Sequence, residues 1–250
     1  MSERTVTVAD VLINKPGRYG ELINHLKEWL AQVAISGFGL VWRVAQRFSG
    51  RPLPVKEHYY IMCLFRLFFK SYYVWIDYPN PLVPQKTLYL RVNLCENNQQ
   101  WFFRLRDRYE LAEIRIVAEG MKQAEVFVDV GANVGIYAIT IAQAFPEKQV
   151  MAFEPLRTNF ESLQAAIKRN GLTNCIANCK AVSSAGGPCR FYINPIHDGG
   201  GSLVPLSMYK TGDVEIEVNR YQQEHSEFQP WVEVETVSLK EVLHKKRVLK

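Results

Sequence analysis

Val126-Phe127-Val128-Asp129-Val130-Gly131-Ala132-Asn133-Val134-Gly135 opens as a short apolar run and breaks into a glycine-rich turn. A brief apolar run bounded by turn residues reads as a short strand. The residues from about Gly135 to Ala144 then read as a helix, and Gln149–Phe153 as a second strand. Asn159–Asn170 reads as another helix and Ile176–Val182 as a third strand. Such βαβαβ alternation with short turns predicts an α/β fold built on a parallel, doubly wound, Rossmann-like sheet. Two further strand-like stretches, Cys189–Ile193 and Trp231–Thr236, follow it.

Ligands of open α/β sheets settle at the carboxyl ends of the strands. Glycine there allows a tight turn and a close approach of the backbone. Asp129 stands in the last part of the first strand, where an acid would repel a pyrophosphate but suits a cationic group. Glu154 ends the second strand, where a carboxylate can accept both hydroxyls of a ribose. The dinucleotide pattern G-x-G-x-x-G is not met, because Asn133 and Ile136 replace its second and third glycines. The acid pair therefore favours S-adenosylmethionine, with its ammonium and sulfonium, over NAD.

Upstream of this core the texture changes. From Glu21 the residues Leu22, Leu26, Leu30, Val33, Leu40 and Val44 recur at helical spacing, until Gly50-Arg51-Pro52-Leu53-Pro54 ends the pattern. Tyr59–Ile76 is aromatic and apolar but holds Arg66 and Lys70, which makes it a poor membrane span. It reads as a core or dimer helix, or as an interfacial helix giving peripheral membrane contact. Thr87–Val92 and Trp101–Leu105, joined by Glu96-Asn97-Asn98, read as a β-hairpin, and Tyr109–Lys122 as a helix. The expected division is a helical, basic, aromatic-rich region over 1–80 and a Rossmann-like domain over 85–250.

Composition bounds the functional classes. A chain of 250 residues, 48% hydrophobic, can bury a sizeable core. Its 30 basic and 25 acidic residues give a net charge of +5, and the whole excess lies within residues 1–120. No aromatic-basic recognition motif accompanies that excess, so nucleic acid is not an expected partner. The five cysteines show no framework spacing or zinc-ligand pattern, and the start of the chain has no apolar signal core. A cytoplasmic protein with no metal site is expected.

Val126–Gly135, then Ala152-Phe153-Glu154-Pro155, Asn159-Phe160, Leu163 and Asn170, resemble the FkbM-type methyltransferases. Arg108-Tyr109-Glu110 fits that family's lead-in, and Ala181-Val182-Ser183 and Val234–Leu239 fit its later strands. The resemblance covers about residues 85–250. It implies a class I methyltransferase sheet and S-adenosylmethionine-dependent methylation of a hydroxyl on a sugar or secondary metabolite. It also implies that Asp129, Gly131, Asn133 and Gly135 line the methionine side of the cofactor. Glu154 would then hold the ribose, and Ala181, within Lys180–Val182, would lie beside the adenine. In relatives a further strand follows the stretch after Leu239, and Arg247–Lys250 reads as its beginning. The sheet is thus expected to be C-terminally incomplete, and the chain to be a fragment or truncated product.

Methyl transfer to a small-molecule or carbohydrate hydroxyl needs a base. His197 and Asp198 beside Gly199-Gly200-Gly201 are the candidates in this sequence. The competing readings are an ordinary loop histidine and a base beyond Lys250. The alternative function is a non-catalytic fold remnant that serves as a binding or interaction module.

Overall fold

The computed structural model describes residues 71–194, 200–205 and 231–245, all within one compact unit, His58–Lys250. Strands β1 (Tyr73–Asn80) and β2 (Val83–Asn93) pair antiparallel. Ile76, Tyr78 and Asn80 of β1 and Leu88, Leu90 and Val92 of β2 are buried. This period-two alternation is that of a hairpin with one packed face. Asn80 holds its tip: the side-chain oxygen accepts the Leu82 N–H, closing an Asx turn. Its amide donates to the Thr140 carbonyl and to Gln143.

Helix α1 (Asn97–Leu105) and helix α2 (Leu111–Met121) follow. The expected hairpin is thereby corrected. Thr87–Val92 is a strand, but its partner is β1, and Trp101–Leu105 is helical. The reason lies at the end of β2. The Gln99 side chain accepts the Asn93 N–H at 2.7 Å, and the Gln100 amide donates to the Leu94 carbonyl. Side chains of a helix thus satisfy the backbone that a third strand would have paired. The region expected to be helical over 1–80 also needs correction at its end. Tyr73–Ile76, read as the tail of an aromatic helix, belong to β1, and a boundary between 80 and 85 would cut the hairpin. Residues 1–70, with the rest of that stretch, lie outside the described residues.

The alternation from Val126 onward folds as its pattern predicts. Strands β3 (Val126–Val130), β4 (Gln149–Phe153) and β5 (Cys175–Asn178) form a parallel sheet in that order. Helices α3 (Ile136–Ala144) and α4 (Arg157–Arg169) make the crossovers. In α3, Ile136, Ala138, Ile139, Thr140, Ile141 and Ala142 are all buried. A helix apolar on nearly every side must be covered on both sides, and α3 lies between the sheet and the hairpin, touching both. Its last turn is closed by Asn174, whose amide donates to the carbonyls of Ala142, Phe145 and Lys148.

The hairpin is also fastened to α4. Asn170 exchanges hydrogen bonds with the backbone of Tyr89, accepting at 3.0 Å and donating at 2.7 Å. The Arg169 guanidinium lies over the rings of Trp75 and Tyr89.

The expected third strand, Ile176–Val182, is split. The Lys180 N–H bonds back to the Asn178 carbonyl at 2.9 Å, a three-residue turn that ends β5. Beyond it, β6 (Ala181–Ser183) joins a second sheet with β7 (Gly187–Tyr192) and β8 (Trp231–Ser238), in the order β6-β8-β7. β8 runs parallel to β6 and antiparallel to β7, and helix α5 (Leu239–Lys245) follows it. The architecture is mixed α/β with a parallel sheet, compatible with a Rossmann-like fold. No helix among the described residues is long and apolar enough to cross a membrane.

Candidate functional site

The turn after β3 is anchored to its neighbour strand. The N–H groups of Gly131 and Ala132 both donate to the Phe153 carbonyl, at 2.9 and 3.0 Å. Gly131 and Asn133 both hold positive φ, +78° and +50°. Gly135, at φ +94°, holds a backbone conformation that L side chains rarely adopt, and a Cβ there would stand 2.3 Å from Leu163 Cδ1, so that side chain would have to shift.

Two carboxylates flank this turn. Asp129 Oδ2 accepts the Ala138 N–H at 3.1 Å, so the side chain caps the first turn of α3. Surrounding protein crowds this carboxyl, and burial pushes its pKa up to about 6, an effect the Ala138 N–H partly offsets. Glu154 is 4% exposed. Its Oε2 accepts the Asn133 N–H at 2.8 Å and its Oε1 the Leu156 N–H at 3.0 Å. Burial raises its pKa, while those two donors and the side chain of Asn159 oppose the rise. A carboxylate offers about four acceptor positions. With two N–H donors in place and the Asn159 side chain beside it, Glu154 has limited acceptor capacity left for a ligand diol.

Both acids open into one cavity of about 810 Å³ at the carboxyl ends of β3 and β4. Of the residues singled out from sequence, Asp129, Gly131, Asn133, Glu154 and Ala181 line it. Gly135 does not; it lies buried beneath the turn against Leu163 and Ile139. Val182 joins Ala181 on the wall, whereas Lys180 is exposed elsewhere. His197 and Asp198 lie outside the described residues.

Sequence reasoning missed part of the lining. Asn98, Trp101 and Phe102 of α1 line the cavity, with Tyr109, Glu110 and Tyr137 on the same side. Phe102 and Tyr109 meet edge to face at 4.6 Å. Glu110 adopts a left-handed backbone, φ 45° and ψ 38°, and its carboxylate accepts the Tyr137 hydroxyl at 2.6 Å. The spacing 98, 101, 102 marks one face of a helix. It would have revealed this wall had 101–105 been read as helical.

The charge of the lining is one-sided. Among the described residues it holds the three carboxylates of Glu110, Asp129 and Glu154 and no lysine, arginine or histidine. Asn133 adds a buried Oδ1 that has no hydrogen-bond partner. The described residues contain no group of three or more His, Cys, Asp or Glu arranged to hold a metal ion. No protein-family model, curated protein or solved structure matches the chain.

Proposed function

We propose that this chain is an S-adenosylmethionine-dependent methyltransferase with a class I sheet, acting on a hydroxyl of a sugar or other small metabolite. One observation carries the reading. A cavity at the carboxyl ends of a parallel sheet bears three carboxylates and no basic side chain among its described residues, although the whole chain is at +5. Such a lining repels phosphates and attracts a cation through the focused field of a concave site, which argues against a dinucleotide.

When bound, the cofactor supplies a methyl carbon on a cationic sulfur, open to in-line displacement by an oxygen. Asp129 balances that charge, and the unpartnered Asn133 Oδ1 accepts a donor from the amino-acid end. Glu154 accepts ribose hydroxyl, and Ala181 with Val182 offers an apolar surface to the base. Trp101, Tyr109 and Tyr137 form an aromatic side on which an acceptor ring can stack while water is excluded. His197 and Asp198 are the proposed bases for the acceptor proton, and Glu110 is a further carboxylate on the wall.

A second reading, a non-catalytic binding module, draws on the edge of β3. Among the described residues β3 is paired only with β4, and Val130 at its end is 55% exposed. Transfer of label from methyl-labelled S-adenosylmethionine to a panel of hydroxylated sugars and metabolites separates the two. The enzyme reading expects label in an acceptor, lost in Asp129→Asn and Glu154→Gln. Cofactor binding with no label in any acceptor would favour the module.

A further inference from the structure

A chain of buried polar side chains runs from the hairpin to the cavity. The Asn93 N–H donates to Gln99 Oε1 at 2.7 Å, and Gln99 Nε2 donates to Asn159 Oδ1 at 3.1 Å. With its oxygen so occupied, Asn159 turns its amide toward Glu154, whose carboxylate it helps keep ionised. Gln99 is 1% exposed, Asn159 7% and Glu154 4%. Two neighbouring elements, β2 and α1, and a distant one, α4, thus converge on one carboxylate at the end of β4.

Packing alone gives no reason for this arrangement. A buried amide is costly unless every partner is in place, and an apolar pair of the same shape would serve the core as well. The direction of each bond is also determined. The backbone of Asn93 is a donor, so it fixes the oxygen of Gln99, which presents nitrogen to Asn159, which in turn presents nitrogen to Glu154. The relay opposes the protonation that burial favours at Glu154 and limits its rotation, and the residue lines the cavity.

We infer that Gln99 and Asn159 are positioning residues that hold Glu154 ready for a vicinal diol, making the segment before the sheet part of the binding site. This rests on the proposed cofactor reading and deepens it. Neither residue needs to touch the ligand's reacting atoms.

The test is calorimetric titration of the full chain with S-adenosylhomocysteine and with its 2′,3′-dideoxy analogue, which lacks the diol. Asn159→Asp keeps the acceptor for Gln99 and replaces the donation to Glu154 with a facing acceptor and a like charge. Q99E keeps the bond from Asn93 and sets an acceptor against Asn159, forcing its amide to turn round. Each variant is expected to weaken S-adenosylhomocysteine by about tenfold, as loss of a charge-assisted hydrogen bond does. The dideoxy analogue should change by less than about twofold. Asn170→Ala, which loosens the hairpin without touching the relay, serves as the structural control and should leave the ratio of the two affinities unchanged. Equal losses for both ligands in the Gln99 and Asn159 variants, or no loss in either, would overturn the inference while leaving the cofactor reading intact. Failure of the wild-type chain to bind either ligand would overturn both.

Discussion

Asp129 accepts the Ala138 N–H through one oxygen and borders the cavity, and burial lifts its pKa to about 6. Its unfolded value is near 3.8, so the folded state binds the proton more tightly. The resulting cost to stability is full above pH 6, fades as pH falls, and is absent below about pH 4. Asp129→Asn removes the charge and keeps an oxygen for the Ala138 N–H. It should stabilise the free protein by about 1–2 kcal/mol at pH 8, after allowing for a weaker helix cap. Urea unfolding at pH 8 and at pH 4 checks this: the gain should appear only at the higher pH. An asparagine variant less stable than wild type at pH 8 would show that the cap outweighs the buried charge. A ligand site built on Asp129 would thus be held at a cost to the fold, as expected of a group kept for binding.

At the scale of elements, the turn and helix after β3 show what a pattern can reveal and what it hides. Gly135 was legible as a residue the turn requires, but its reason is tertiary: Leu163, 28 positions later, fills the space a Cβ would need. Gly135→Ala should destabilise the protein by about 2–4 kcal/mol, combining overpacking with a left-handed backbone. Thermal unfolding measures it, and a loss under about 1 kcal/mol would mean that α4 yields easily. The βαβαβ core was readable because its strands are short apolar runs with turn residues between them. The hairpin was misread because Trp101-Phe102-Phe103 has strand-like composition, while what keeps it helical is Gln99 and Gln100 bonding to Asn93 and Leu94. Those bonds depend on where β2 ends in space, and no local periodicity reports that. The split after Asn178 likewise follows from one backbone turn that composition does not mark.

Over the whole molecule, charge and site are opposed. The basic excess lies within residues 1–120, yet the described lining of the cavity is acidic. Asp129 and Glu154 were legible as candidates lining the cavity because strand ends in such sheets are where ligands settle, whatever the rest of the chain does. Glu110, Trp101 and Asn159 were not read as site residues, because helices before and after the first strand bring them to it. Direct calorimetric titration of the chain with S-adenosylmethionine and with NAD tests the central claim, a cavity built for a cationic adenosine ligand. The account predicts roughly micromolar binding of S-adenosylmethionine at pH 7.5, with little or none of NAD. Below about pH 6, as Asp129 takes up its proton, that affinity should weaken toward tenfold per pH unit. A folded chain that binds NAD more tightly, or binds S-adenosylmethionine equally well at pH 5 and pH 7.5, would contradict it.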